Sequence, residues 1–274
     1  MGDTKKHTVK IKPSKKDIER TYEGFDELKE LIAPSSNKPE AGFYILNEGK
    51  WFDEDWFKDW YKKYTNSFFK FEIENGTNTN LTLERKPILK QIETKLSQKY
   101  YPSTTDLNWK KRPEKVYDCN ATNKDFFHRG HLIGCQLIEY SKIFKHYKWE
   151  NFVMITDWCN RANTYTDNNK SCGMFYFENI LLQTLDFYYR NKEHIEIDYR
   201  ITPVLKKLDS KNEQQNYEKL PRGIIMEARV RNGGNFLTSN DEKHPIFESG
   251  FNVFIPNAQK NLKIDYNSGE VIKE

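Results

Sequence analysis

Three strand-like segments follow one helix-like segment in the C-terminal part of the chain, and this order most constrains the fold. The segment 173–191, GMFYFENILLQTLDFYYRN, has apolar residues at helical spacing and a basic residue, Arg190, near its end, which is typical of an amphipathic helix. The strand-like segments that follow it are HIEIDYRITPVL (194–205), GIIMEARV (223–230) and FNVFIP (251–256). An order of strand, loop, helix and then antiparallel-type strands predicts the α+β class.

The first 86 residues predict a small unit of mixed α/β character. Within these residues the sequence predicts a helix at 25–32 (FDELKELI), a strand at 41–46 (GFYILN) and a helix-like run at 53–65. A further helix-like run at 87–101 follows them. The turn-rich hexapeptide NGTNTN lies between the last two and marks a soft boundary. We therefore predict an accessory region of unknown role at residues 1–86 and a catalytic domain at residues 87–274.

Composition restricts the function only weakly. The chain has 36% hydrophobic and 31% charged residues, a mixture typical of a globular protein, and a formal net charge of only +4. Any anion-binding site must therefore be built locally. The N-terminus has no apolar signal-peptide core, and the apolar runs are too short to span a membrane, so we predict a cytoplasmic protein, with signal-independent export as an alternative. The four cysteines do not form a typical disulfide framework.

The segment 125–134, DFFHRGHLIG, is the strongest indication of chemistry. It contains two histidines, an arginine and a glycine between apolar pairs. One interpretation is a zinc site, in which the histidines bind metal together with two cysteines, although the chain has no CxxC knuckle. A second is that the histidines are ordinary polar residues at a strand end. The third is a site for phosphodiester hydrolysis. The four candidate zinc ligands are Cys119, His128, His131 and Cys135.

Phosphodiester hydrolysis requires a base, a cation and positive side chains that hold the phosphate. His131 suits the base because histidine titrates near neutral pH. Arg129 lies two residues earlier, so an extended strand would direct it to the same side as His131. Magnesium prefers oxygen ligands and keeps several waters, so a single side-chain amide can be its only direct protein ligand. The downstream stretch NFVMITDWCNRAN offers Asn151, Asn160 and Asn163.

HRGHLIG, NFVMITDWCNRAN and GMFYFEN occur in this order, and the segments YRITPVL, LPRGIIMEARV and FNVFIPNAQKNLKIDYNSGEVI follow them. Together they resemble the DNA/RNA non-specific endonucleases of the ββα-metal (His-Me finger) superfamily, in particular the branch of streptococcal DNA-entry nucleases and secreted DNases. The resemblance covers roughly residues 105–274. It implies a ββα-metal core built on an antiparallel sheet, Mg²⁺ as cofactor with Mn²⁺ as a substitute, and cleavage of DNA, with RNA as a further substrate.

The resemblance also implies roles for single residues. His131 corresponds to the general base, Asn160 to the magnesium ligand, and Glu178 to an acidic residue that orients metal-bound water. Arg129 would position or bind the phosphate, and Asn151 would support the site. The implied products carry a 5′-phosphate and a 3′-hydroxyl. The basic residues that we expect near the phosphate backbone are Lys110, Lys111, Arg112, Lys124 and Arg222.

The chain departs from the family pattern at two places. His128 stands where the family has aspartate, in D-R-G-H, or in some relatives asparagine, and it would either contact phosphate or pack against the strand edge. The loop TYTDNNKSC, between Asn160 and Glu178, is longer than in the DNA-entry nucleases. The change at His128 favours an alternative function, that of a catalytically silent nucleic-acid-binding or inhibitor-binding protein with the nuclease fold.

A nuclease without a signal peptide would endanger its own cell. The chain could then be a defence effector, a phage protein or an exported toxin. Residues 1–86 would gate the defence effector, and the toxin would have a cognate inhibitor. The partners open to residues 1–86 are an inhibitor or activator protein, another partner, or DNA.

Overall fold

The structure is a computed structural model, and it describes residues 12–35, 42–52, 55, 59–60, 69–75, 87–92, 127–134, 137, 152–161, 173–191, 195–208, 217–218, 220–232, 235–236 and 250–274. Its helices are Lys15–Glu19 (α1), Asp26–Ile32 (α2), Asp157–Arg161 (α3) and Met174–Arg190 (α4). Its strands are Tyr44–Ile45 (β1), Phe69–Asn75 (β2), Pro87–Ile92 (β3), Phe127–His131 (β4), Phe152–Thr156 (β5), Ile195–Val204 (β6), Gly223–Asn232 (β7), Asn235–Phe236 (β8), Gly250–Pro256 (β9), Leu262–Ile264 (β10) and Val271–Lys273 (β11).

One antiparallel sheet organises the described residues. Its seven strands run in the order β1-β9-β7-β6-β2-β3, and β8 pairs with β7 beside this path. The longest ladder joins β6 to β7, from Ile195 opposite Asn232 to Val204 opposite Gly223. The predicted α+β class is confirmed to this extent, since the molecule combines helices with antiparallel sheets. The predicted helix at 173–191 and the three predicted C-terminal strands are confirmed as α4, β6, β7 and β9.

The first face of the sheet carries the elements that build the site. Alternate residues of β6, among them Ile197, Tyr199 and Ile201, are fully buried on this face. They belong to one apolar cluster with Leu181 of α4 and Ile155 of β5. This packing holds the antiparallel pair β4–β5 and helix α4 against the same sheet.

The second face is covered by the N-terminal part of the chain. Val204 of β6 and Phe254 of β9 belong to a cluster that also contains Ile18 of α1 and Leu28 of α2. A buried ion pair ties the same region to the sheet, since Arg200 and Glu227 lie 2.5 Å apart. Arg200 Nη2 donates to the carbonyl oxygen of Phe52, and the Phe52 amide donates to Glu227, each at 3.0 Å.

The sheet is continuous across the boundary predicted at residues 86 and 87. β2 lies between β6 and β3, and it pairs with both. β1 pairs with β9 at the other edge. The helix predicted at 87–101 was wrong over its first six residues, because Pro87–Ile92 forms strand β3 against β2. Pairing with a neighbouring strand overrides local helix preference here. The helix-like run at 53–65 and the rest of 87–101 lie almost entirely outside the described residues.

None of the helices in the described segments is both long enough and apolar enough to cross a bilayer.

Candidate active site

Strands β4 and β5 pair with each other, and helix α3 begins directly after β5, which brings the two sequence motifs together. The HRGH motif lies on β4, which pairs antiparallel with β5 from Phe127 opposite Thr156 to His131 opposite Phe152. Helix α3 begins directly after β5 and carries Asn160. The predicted base and the predicted metal ligand therefore belong to neighbouring elements of one unit.

The start of α3 is held by the segment that follows β9. Thr156 caps the helix, since its Oγ1 accepts a hydrogen bond from the Cys159 amide at 3.1 Å. The same hydroxyl donates to the carbonyl oxygen of Ala258 at 2.8 Å. The buried Asn257 accepts from the Thr156 amide through Oδ1 at 2.8 Å and donates to the carbonyl oxygen of Pro221 at 2.9 Å. Asn257 is therefore a positioning residue for α3 that the sequence interpretation missed, although the PNAQKN stretch was part of the family resemblance.

His128 connects β4 to two residues of α3. Its Nδ1 lies 3.0 Å from Asn160 Nδ2, and its Nε2 lies 3.2 Å from Asp157 Oδ1. Asp157 is only 1% exposed, whereas His128 and Asn160 are half-buried. The roles predicted for His128 from the sequence, phosphate contact or packing against the strand edge, stay predictions. Asp157 was also missed, and its only signal was an acidic residue in the first turn of a helix.

Gly130 allows the backbone of β4 to approach α3 and β5 closely. A Cβ atom at this position would lie 2.5 Å from Ile155 Cδ1 and 3.5 Å from Asn160 Oδ1. The first distance is well inside van der Waals contact, so a side chain at residue 130 would displace Ile155. The missing side chain keeps the amide oxygen of Asn160 beside the backbone that joins Arg129 to His131.

His131 is half-buried and is the last residue of β4. Strand alternation places His131 on one face of β4 and His128 and Gly130 on the other. The side chain of Arg129 itself lies outside the described part of the structure.

Glu178 lies on α4 and contacts the backbone just after His131. Its Oε1 accepts a hydrogen bond from the Gly134 amide at 2.6 Å, and the side chain is buried. Burial raises the pKa of Glu178 to about 8, against the opposing effect of this hydrogen bond. The described contacts therefore assign Glu178 to holding the loop after β4. Its predicted role in orienting metal-bound water stays a prediction.

The burial of Glu178 leads to a testable pH dependence. Because its pKa is raised in the folded protein, the folded state retains a proton that the unfolded state releases between about pH 4.5 and 8. The contribution to stability is complete at the acidic end and is lost as the pH rises through 8. Relative to Glu178→Gln, wild type should lose up to about 1.4 kcal/mol of unfolding free energy per pH unit in this window. Urea denaturation in chelator at several pH values, with the exposed Glu270→Gln as control, measures this difference. Parallel curves for wild type and Glu178→Gln would contradict it.

Arg222, a predicted phosphate contact, is engaged inside the protein. Its guanidinium binds both carboxylate oxygens of Glu218, at 2.8 and 2.6 Å, and lies 4.4 Å from the ring centre of Tyr266. It also donates to the carbonyl oxygens of Arg20 and Thr21. These contacts favour a structural role, the fastening of the N-terminal helices, over phosphate binding.

Several predicted residues lie outside the described residues, so their positions stay predictions. Among the described residues, no group of three or more His, Cys, Asp or Glu side chains is arranged to bind a metal. The residues outside the description are Lys110, Lys111, Arg112, Lys124 and Asn151, together with the candidate zinc ligands Cys119 and Cys135.

No protein-family model matches this chain. Similar solved structures include NucA from Streptococcus agalactiae, at 18% identity over 92% of this chain and 96% of that chain. The TM-score is 0.49 for its metal-free form and 0.46 for its magnesium-bound form. An extracellular endonuclease is 25% identical over 56% of this chain and 72% of its own, with a TM-score of 0.37. An extracellular nuclease is 27% identical over 54% of this chain and 77% of its own, with a TM-score of 0.38.

The cytoplasmic location predicted from the N-terminal residues is contradicted by this comparison, because two of the similar structures are extracellular enzymes. The similar structures are nucleases, in agreement with the resemblance seen in the sequence.

Proposed function

We propose that this chain is a Mg²⁺-dependent endonuclease that cleaves DNA with little sequence preference. RNA is a further proposed substrate. One observation carries the proposal: the amide oxygen of Asn160 lies beside the backbone of Gly130. It is 3.5 Å from the point that a Cβ atom at residue 130 would occupy. His131 follows Gly130 directly, so an oxygen ligand on α3 and an imidazole on β4 belong to adjacent elements. This arrangement supports the assignment of β4, β5 and α3 as a ββα-metal core.

The residues present fit a magnesium ion. Within the described part of the chain, Asn160 Oδ1 accepts no hydrogen bond, whereas Asn160 Nδ2 is engaged by His128. An amide oxygen is a hard ligand of the kind that Mg²⁺ prefers, and Mn²⁺ accepts the same ligand. A bound Mg²⁺ would neutralise charge on the phosphoryl oxygens and stabilise the departing 3′-oxygen.

The proposed chemistry of the protein's own groups starts at His131. In its neutral form the imidazole accepts a proton from the water that attacks phosphorus. Arg129 binds a phosphate oxygen and holds the phosphodiester in line for this attack. Glu178 and Gly134 fix the loop behind His131, which limits the movement of the base. The products expected from the family resemblance are a 5′-phosphate and a 3′-hydroxyl.

We propose that nucleic acid is bound through its phosphate backbone. Lys110, Lys111, Arg112 and Lys124 are the candidate contacts in the polar stretch before β4. Such contacts release counterions from the nucleic acid, so affinity should fall steeply with salt and depend little on base sequence. An inhibitor or activator protein that acts through residues 1–86 remains a proposal from the sequence.

The test of the proposed function is plasmid cleavage by the full-length protein with Mg²⁺, compared with Asn160→Ala. We expect wild type to nick and linearise the plasmid and chelator to stop the reaction. Asn160→Ala should lose at least about 10-fold to 100-fold in rate, since it lacks the direct metal ligand. The exposed Asn267→Ala is the matched control and should cleave like wild type. An inactive wild type, or equal cleavage by Asn160→Ala, would refute the assignment.

A further inference from the structure

His128 is the residue at which this chain departs from the family pattern, and its contacts define a function for it. We propose that His128 is a positioning residue that, together with Asp157, keeps the amide oxygen of Asn160 turned toward the metal. The inference rests on the proposed function, because it assigns a purpose to the orientation of the proposed metal ligand.

The first step concerns which ring nitrogen of His128 carries a hydrogen. His128 Nε2 lies 3.2 Å from the buried carboxylate oxygen Oδ1 of Asp157. A carboxylate accepts and cannot donate when ionised, so it favours the form of the neutral ring with hydrogen on Nε2. A neutral imidazole carries only one such hydrogen, and Nδ1 is then a bare acceptor.

The second step concerns the amide of Asn160. Its Nδ2 lies 3.0 Å from His128 Nδ1. A bare ring nitrogen attracts the amino end of an amide and repels the oxygen end, since oxygen would place two lone pairs against each other. His128 therefore selects one of the two orientations that the flat amide group can adopt.

The third step concerns what this selection leaves at the other end of the amide. In the selected orientation Oδ1 lies on the side of Gly130, 3.5 Å from the point that a Cβ atom at residue 130 would occupy. The opposite orientation would place an NH₂ group there, and an amide nitrogen does not bind Mg²⁺. The direction of one hydrogen bond thus decides whether Asn160 is a metal ligand.

The three residues are held together by the fold itself. Asp157 and Asn160 are three residues apart on α3, so they lie on neighbouring positions of one helix face. His128 lies on β4, on the strand face that it shares with Gly130. The network from Asp157 through His128 to Asn160 is a second layer of contacts behind a metal ligand, and such layers orient the ligand and strengthen metal binding.

Two conservative substitutions separate positioning from simple packing. Asparagine at residue 128 would place its side-chain oxygen close to the position of Nδ1, so His128→Asn keeps an acceptor for Asn160. Glutamine reaches toward the position of Nε2, so His128→Gln keeps the polar contact with Asp157 but offers no acceptor at Nδ1. A packing role predicts no such difference between the two variants.

The measurement is calorimetric titration of Mn²⁺ into the metal-free, full-length protein without nucleic acid. We expect His128→Asn to bind Mn²⁺ within about threefold of wild type, and His128→Gln to bind roughly 10-fold to 100-fold more weakly. Asn160→Ala sets the level of complete loss. Wild-type affinity in His128→Gln, together with loss in Asn160→Ala, would overturn this inference alone. Wild-type affinity in Asn160→Ala would instead overturn the proposed metal site, and this inference with it.

A second measurement observes the hydrogen on the His128 ring directly in the wild-type protein. Nitrogen-detected NMR of the histidine side chains in metal-free wild type, at a pH where the ring is neutral, reports which nitrogen carries hydrogen. Comparison with the spectrum of His128→Asn assigns the signals of His128. We expect hydrogen on Nε2 and a bare Nδ1, and a hydrogen on Nδ1 of the neutral ring would overturn the inference.

Discussion

Replacing His131 with alanine is expected to lower the rate of DNA cleavage by about 10²-fold to 10⁴-fold, the usual contribution of a general base. His131 is half-buried at the end of β4, next to the glycine that brings the strand against Asn160. Its removal takes away the group that accepts the proton from the attacking water. The single-turnover rate of plasmid nicking with saturating Mg²⁺ measures the effect directly.

His131→Ala should keep its metal, and this distinguishes it from Asn160→Ala. The proposed metal ligand is on α3, so Mn²⁺ affinity of His131→Ala should stay close to that of wild type while cleavage is lost. Circular dichroism confirms that each variant is folded. Cleavage by His131→Ala at the wild-type rate would contradict the assignment of the base. DNA binding by wild type without cleavage under any divalent cation would favour the catalytically silent alternative.

Removal of residues 1–86 is expected to prevent folding of the remaining chain. The fragment 87–274 would lack β1 and β2, which pair with β9 and β6 in the main sheet. It would also lack α1 and α2, so that the second face of the sheet would be exposed. Fully buried side chains such as Phe254 and Ile225 would then lie in contact with water. Burial of each side chain of this size contributes roughly 1.5–3 kcal/mol, and domains are stable by only about 5–15 kcal/mol.

Circular dichroism and thermal denaturation of the fragment measure this expectation. A chain that begins at residue 12 is the control, since it retains every described element, and it should melt cooperatively. An unfolded fragment would mean that its lack of activity says nothing about regulation by residues 1–86. A folded fragment with activity equal to or above that of the full chain would contradict the prediction and favour a separable accessory region.

The strongly patterned elements could be predicted from the sequence. Helix α4 and strands β6, β7 and β9 have regular apolar spacing, because each contributes several buried side chains to the core. Strand β3 could not be predicted, since the stretch Pro87–Ile92 is short and its strand form depends on pairing with β2. The sequence did not predict that the sheet continues past residue 86, because pairing between strands distant in sequence leaves no local pattern.

The candidate site also contains residues that the sequence motifs could indicate and contacts that only the folded structure shows. The sequence alone was enough to propose His131, from the residue types of its motif, and Asn160, from the family resemblance. The partners that hold them belong to the tertiary structure: Asp157 behind His128, Asn257 at the start of α3, and Glu178 at Gly134. Arg222 was predicted from the sequence to contact phosphate, but in the folded protein its guanidinium forms an ion pair with Glu218. A side chain's chemistry is a local property that the sequence carries, whereas its burial and its hydrogen-bond partners depend on which distant segments the folded chain places against it.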